Sequence, residues 1–245
     1  MEDLVSFTKK INSFIKRGEE GNVILLNFLD DAERSVVEEL TARSSLNISF
    51  SGGIKNADRV RCIMSYYDVS EEDYKIKVYQ IIYNKKFYEI YHRSILGSLM
   101  SLGIKRECLG DIVIKDNKDA FFACTNEISS FIESEFKSVG KAQIQLKEVS
   151  FPVENEIKEE SKVHFVSSLR LDVIIAAGFS LSRSEVLEIL TNGEVYVNHL
   201  LNQNPSYLVK ENEEISVRHF GKIRISSIGG TSKSGRKAIE IARRV

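Results

Sequence analysis

Apolar residues at Leu4, Phe7, Ile11, Phe14 and Ile15 follow the spacing of one helix face. A second helix is predicted through "AERSVVEELTARS", capped by Asp30 or Asp31. The following "SFSGGIKNADRVRCIMSYYD" turns at Gly52-Gly53 and becomes extended. Residues 1–74 therefore read as a mostly helical N-terminal segment. From about residue 75 the period changes. "YKIKVYQIIY" alternates and is rich in β-formers, so it is a strand. "RSILGSLMSLG" reads as a short helix stopped by Gly103. "GDIVI" and "AFFACT" are strands joined by the polar turn "KDNK". "NEISSFIESEFKSVG" is an amphipathic helix with Ile128, Phe131, Ile132 and Phe136 on one side and Gly140 at its end, and "AQIQLKEV" is a closing strand.

The order over residues 75–150 is β-α-β-β-α-β, the ferredoxin-like arrangement that RNA-recognition modules share with many other proteins. Phe121 and Phe122 point to opposite faces of their strand, so at most one could serve a stacking platform on the sheet. Residues 151–166, with Pro152 and a run of Lys and Glu, predict a linker.

Residues 167–228 form a third block. Ser167 or Ser168 can cap a helix through "LRLDVIIAA" that Gly178 ends, with Leu169, Val173, Ala176 and Ala177 inward. Ser182 and Glu185 make a capping box for a second helix that buries Val186, Leu187 and Leu190 and stops at Gly193. "EVYVN" is a strand, Asn198-His199 a turn, and "EISVRHFGKIRIS" supplies further strands. Arg170 and Arg183 fall in the first turns, where the helix dipole disfavours a cation by a few tenths of a kcal/mol. Helix stability does not explain them. Two helix N-termini, each with an arginine, suit a phosphate seat. The alternative is a surface pairing of Arg170 with Asp172, or of Arg183 with a glutamate.

The formal net charge of −1 hides an asymmetry: residues 218–245 hold eight Lys/Arg against one acid, Glu240. Residues 229–245 read as a basic tail of the kind that meets polyanions. A hydrophobic content of 42% supports real cores. Cys62, Cys108 and Cys124 form no CxxC, and the four histidines have no zinc spacing. No metal or organic cofactor is expected. The acids before any apolar run do not suit a signal peptide, and no run is long enough to span a membrane. A cytoplasmic protein without membrane insertion is expected. "GGTSKSGRK" departs from a P-loop, since Arg236 and Lys237 stand where Lys and a hydroxyl residue are required. It reads instead as a basic loop that tracks phosphates.

"LRLDVIIAAGFSLSRSEVLEILTNGEVYVN" resembles the S4 RNA-binding module through Arg170-Leu171-Asp172, Ser182-Arg183, Gly193, Val195, Val197 and Asn198. His199 replaces the usual Gly, which predicts a less tight turn. The resemblance implies that the helix starts and adjoining loop hold ribosomal or transfer RNA. The expected contacts are Arg170, Ser182, Arg183, Asn198, Arg218, Lys222, Arg224, Lys233, Arg236 and Lys237. The chain lacks the HIGH-like and KMSKS-like sequences of tyrosyl-tRNA synthetases and the glycine-rich cofactor loop of methyltransferases.

Upstream, "YHRSILGSLMSLGIKRECLGDIVI" resembles the middle region of YlmH-type S4 proteins, with Ser94 where Asp is typical. "SGGIKNADRVR" resembles that family's GGY-x-x-AER-x-R, with Asp58 for Glu and Ile54 for the aromatic. "FLDDAE" lacks the family's Pro-Arg pair. The implied fold class is α+β, with a helical segment, a ferredoxin-like domain and a C-terminal S4 domain. The implied role is non-catalytic: binding to rRNA of the large ribosomal subunit and to peptidyl-tRNA, in quality control of stalled chains with C-terminal tailing. Nascent-chain tailing factors and cell-division proteins are the implied further partners. His92, Arg93, Lys105 and Arg106 bracket a helix that could bind RNA or protein, or could simply fix and solvate it. Two alternatives stand beside this reading: an adaptor in cell division, and an RNA-modifying enzyme with an active site in the first 150 residues.

Overall fold

The structure is a computed structural model that describes residues 2–149, 152–156, 159–232 and 235–244. The chain divides into two compact units, Met1–Glu156 and Ile157–Val245.

The first unit begins with α1 (Glu2–Glu19), β1 (Ile24–Leu25), α2 (Asp31–Thr41), β2 (Asn47–Ser51) and β3 (Arg61–Ser65). Asp30 caps α2: its carboxylate accepts from the Glu33 amide at 3.0 Å, and Glu33 returns the bond to the Asp30 amide. The strands pair antiparallel in the order β1-β3-β2. Ile11, Ile15, Val37, Cys62 and Met64 share one core. The segment expected to be mostly helical thus carries a three-stranded sheet. Its central strand, "RCIMS", is buried at every position, so it lacks the alternation that marks a half-exposed strand.

Arg61 opens that strand and is 2% exposed. Its guanidinium donates to the carbonyls of Leu26 (2.9 Å), Tyr74 (2.9 Å) and Lys75 (3.0 Å), and pairs with Glu127 at 3.3 Å. One side chain therefore ties β1 to the connection before the next sheet and to the turn beyond its third strand.

That next sheet is built from β4 (Ile76–Tyr83), α3 (His92–Ser101), β5 (Leu109–Ile114), β6 (Ala120–Thr125), α4 (Ser129–Glu135), β7 (Ser138–Val139) and β8 (Ala142–Glu148). The antiparallel order β5-β6-β4-β8-β7 is the ferredoxin-like topology with one short added strand. The second helix is shorter than expected. Gly140 turns the β7–β8 hairpin instead of ending α4, and Phe131 stays 46% exposed.

Tyr79, Ile81 and Phe122 pack on one sheet face with Ile95 and Leu99 of α3 and Ile132 of α4. On the other face Val113, Phe121 and Ala123 are covered by Phe28, Ile54 and Val153. Gly110 makes room for that cover: a Cβ there would lie 2.7 Å from the Phe28 ring and 2.9 Å from Ala123 Cβ. The expected linker is corrected accordingly. Val153 is 1% exposed, and its carbonyl accepts from the Lys55 amide at 2.8 Å. Residues 159–166 form a strand of the second unit.

The second unit comprises β9 (Glu159–Val166), α5 (Leu171–Phe179), α6 (Arg183–Thr191), β10 (Val195–Val197), β11 (Leu200–Leu201), β12 (Glu214–Val217), β13 (Gly221–Thr231) and β14 (Lys237–Arg244). They form one sheet, ordered β11-β10-β12-β13-β14-β9. The expected basic tail is also corrected. Its β14 lies between β13 and β9, because Ile239 and Ile241 alternate with Ala238 and Glu240 and enter the core.

Two local expectations for the helices change. Arg170, not Ser167 or Ser168, is the N-cap residue of α5, and the helix runs past Gly178 to a left-handed Ser180 (φ 58°). Its fully buried residues are Leu171, Ile174, Ile175 and Phe179, while Leu169, Val173, Ala176 and Ala177 are only partly buried. Gly178 serves close packing: a Cβ would stand 2.6 Å from Ile223 Cδ1. In α6, Ile189 is buried and Leu187 is 46% exposed.

Arg61→Met should destabilise the first unit by about 3 kcal/mol, because the buried carbonyls lose their donor. Gly178→Leu should cost the second unit about 1–3 kcal/mol through overpacking against Ile223 and Ile241, which a shift of one terminal methyl cannot relieve. Hydrogen exchange resolved by segment checks both: each variant should lose protection in its own unit.

Candidate RNA interface

The two helix beginnings predicted as phosphate seats differ. At α5 the first amides are occupied: Leu171 donates to Tyr207 O (2.8 Å), Asp172 to Pro205 O (3.3 Å) and Val173 to the Asp172 carboxylate (3.0 Å). The Arg170 guanidinium turns back onto Asp172, with Nε and Nη2 each donating at 3.0 Å. The pairing that the sequence left as an alternative is therefore formed. Arg170 remains 40% exposed beside an Asp172 that is 8% exposed. Burial would raise the Asp172 carboxyl, but the Arg170 hydrogen bonds and charge outweigh it and hold its pKa below the usual carboxylate range. The pair aims the guanidinium without using all five of its N–H groups.

At α6 the beginning is open. Ser182 Oγ accepts from the Glu185 amide at 3.3 Å, and Glu185 closes the box on the Ser182 amide at 2.7 Å. Ser182 is thus engaged in capping. Among the described residues, Arg183 is exposed and makes no ion pair, and the Arg183 and Ser184 amides have no backbone acceptor. The Arg183 charge also lowers the Asp172 carboxyl, as the smallest of the causes acting on it. An open helix N-terminus with one unpaired guanidinium and a second held nearby is suited to a phosphate oxygen.

The other expected contacts separate by environment. Asn198 and His199 form the two-residue turn between β10 and β11 with φ of 49° and 68°, so the turn is tight despite the missing glycine. The Asn198 side chain accepts from the Glu214 amide at 3.0 Å, an internal role. Lys222 is largely buried against Glu214 at 3.5 Å. Arg224 is paired through two N–H groups with Glu159, across the intervening strand. Arg218 is exposed on the turn after β12, where its amide binds Glu194 O at 3.0 Å. That is the far end of α6, about 13 Å along the helix from Arg183. Arg236 and Lys237 are exposed at the β13–β14 hairpin. Lys233 lies outside the described residues.

In the first unit Arg93 and Lys105 are exposed, whereas Arg106 turns inward to the carbonyls of Leu109 (2.6 Å) and Gly110 (3.2 Å). Arg59, which sequence reasoning did not single out, shares Leu109 O at 3.3 Å and also holds Phe28 O at 3.0 Å. Burial, and then the Arg59 charge, push Arg106 down to about 10. Partial desolvation, and then the Arg106 charge, lower the pKa of the surface-exposed His92 imidazole from its ordinary value. Asp111 accepts the amides of Asp58 (2.8 Å) and Arg59 (3.0 Å), fixing the turn after Gly52-Gly53. Among the described residues no group of three His, Cys, Asp or Glu is placed to hold a metal. No helix there is long and apolar enough to cross a membrane.

Comparison with known proteins gives both units a counterpart. The family pattern described as "Putative RNA-binding domain in YlmH" matches residues 70–153, and that of the S4 domain matches residues 169–215. The chain is 30% identical over 233 residues to the ribosome-associated protein quality control protein P2 of Bacillus subtilis (strain 168), covering 92% of this chain and 89% of that protein. It is 43% identical over 54 residues to the small ribosomal subunit protein uS4 of Dehalococcoides mccartyi (strain CBDB1), 22% of this chain and 26% of that protein. A solved structure, the cell division protein ylmH from Streptococcus pneumoniae, shares 26% identity at a TM-score of 0.53, covering 62% of this chain and 93% of that one. With a ferredoxin-like sheet followed by an S4 module in one chain, and a relative aligned along nearly all of it, this protein belongs to the YlmH family.

Proposed function

We propose that the protein is a non-catalytic RNA-binding factor that docks on rRNA of the large ribosomal subunit, and on its peptidyl-tRNA, during quality control of stalled nascent chains. The observation that carries this reading is the beginning of α6. An exposed, unpaired Arg183 stands there beside open amides and near the Arg170–Asp172 pair. An unpaired cation is available to displace counterions from a phosphate backbone; one already paired is not. The name of the Bacillus subtilis relative supports ribosome association and quality control. The match to uS4 supports ribosomal RNA as the ligand. Arg218, Arg236 and Lys237 extend the same contact as exposed cations. Ser182 and Asn198 act indirectly, by ordering the helix start and the turn.

A second reading, an adaptor in cell division, is favoured by the name of the Streptococcus pneumoniae protein. The two separate cleanly: Arg183→Ala should weaken ribosome association and fail to rescue the deletion strain under the first, and rescue it fully under the second.

Arg183→Ala should weaken binding to a structured rRNA fragment and lower the slope of log K against log salt by about one unit. Lys222→Ala should leave that slope unchanged and instead lower thermal stability, because Lys222 is largely buried against Glu214. Fluorescence anisotropy across a salt series, with a thermal melt of each variant, checks the pair. An unchanged slope for Arg183→Ala means that no phosphate sits there.

A further inference from the structure

The sheet face on which RNA-recognition modules stack bases is closed in the first unit, beneath Phe28, Ile54 and Val153. Aromatic rings are displayed elsewhere. In the β4–α3 loop, residues 84–91, Phe87 is 79% exposed, Tyr91 59% and Tyr88 41%. Among the described residues none of these rings packs on another aromatic ring.

The loop is held at both ends. Asn84 organises its first turn: its carbonyl accepts from the amides of Phe87 (3.2 Å) and Tyr88 (3.1 Å), and its side chain accepts from Lys86 N (3.2 Å). Ile90 is 3% exposed and anchors the far end in the core. Immediately after it, the Tyr91 amide donates to Ser94 Oγ at 2.9 Å as α3 begins. The rings are thus presented by a fixed backbone, which lowers the ordering cost of a ligand.

The charge around the rings is positive. Lys86 and Arg93 are exposed and, among the described residues, have no ion pair. The one carboxylate in the loop, Glu89, is bound by Lys118 at 3.3 Å and by the Tyr91 hydroxyl at 2.7 Å. Rings interleaved with unpaired cations match a strand of unpaired bases on a phosphate backbone better than they match an apolar protein surface.

We propose that the β4–α3 loop is a stacking seat for single-stranded RNA, with Phe87, Tyr88 and Tyr91 receiving bases and Lys86 and Arg93 flanking the backbone. This rests on the RNA-binding reading above only for the choice of RNA as ligand. It assigns the first unit a ligand chemistry distinct from the phosphate seat at α6.

The chain contains no tryptophan, so Phe87→Trp installs a single indole reporter. In the full-length protein its emission should be quenched on titration with an unstructured uridine-rich oligonucleotide of about twelve nucleotides. Phe87→Ala and Tyr91→Ala should each weaken that oligonucleotide about tenfold, with the salt slope and the melting temperature unchanged. Binding of a structured rRNA fragment through Arg183 serves as the internal reference. If it persists while the oligonucleotide binds the Phe87→Ala/Tyr91→Ala double variant at parental affinity, the loop proposal is overturned and the α6 reading stands. Indole emission unchanged at saturating oligonucleotide also overturns it. So does loss of ribosome co-sedimentation by the double variant with oligonucleotide affinity intact, which would make the loop a protein contact.

Discussion

The first unit depends on a charge placed where charges are rarely tolerated. Arg61 is almost without exposure, and its guanidinium is satisfied by three carbonyls and one carboxylate drawn from separate stretches of chain. A buried guanidinium is stable only while all these acceptors stay in place. Losing any one leaves an unpaired charge or carbonyl, so the N-terminal sheet and the ferredoxin-like sheet are held as one body. Gly110 then lets the Phe28 ring lie directly on β5 and β6. The consequence is that the sheet face on which bases could have stacked becomes core.

In the second unit the same electrostatic bookkeeping sorts cations by what they already hold. Lys222 and Arg224 carry the same charge as Arg183, yet each is committed to a glutamate of its own sheet. Lys222 is also largely buried, so a phosphate could reach it only by breaking its pair, whereas Arg224 stays 41% exposed on its pair. Arg170 is intermediate. Its bidentate hold on Asp172 fixes where the guanidinium points and leaves part of it exposed. Arg183 has no such partner, and the open amides of its helix add to the local positive potential. Counting basic residues along β13 and β14 therefore overstates the phosphate surface.

Much of the topology was legible from period alone. The βαββαβ order, the capping box at Ser182 and the turn at Asn198-His199 each have a local signal, and each formed; two adjacent acids left the cap of α2 open between Asp30 and Asp31, and Asp30 takes it. What failed to read locally was decided by tertiary packing. "RCIMS" is buried on both faces and shows no alternation. "KAIEIARR" does alternate, but its dense positive charge has the signature of a solvated tail, and only packing shows Ile239 and Ile241 to be core. Val153 looked like linker because its burial depends on a backbone bond to Lys55, nearly a hundred residues earlier. At the candidate site, the sequence placed Arg170 and Arg183 at two helix beginnings, and both lie there. It could not show that carbonyls from residues 205–207 close the first amides of α5. The ring–cation pattern of "NKKFYEIYHR" was present in the sequence, but aromatic residues are more often core, and only exposure separates Phe87 from Ile90.

The two candidate contacts differ in the physics that would limit them, and that difference bears on how one chain could use both. Phosphate neutralisation at α6 releases counterions and weakens steeply as salt rises. Stacking on the β4–α3 loop removes aromatic surface from water and has little dependence on salt. A chain carrying both would retain a foothold on RNA under conditions that strip a purely electrostatic binder. Because the units are joined covalently, engagement of one raises the effective concentration of the other, provided the RNA presents both features within reach. A folded RNA with an unpaired segment offers that combination, whereas a uniform duplex does not. Selectivity for such a target would then come from needing two chemically unlike contacts together, with neither unit reading a base sequence through hydrogen bonds.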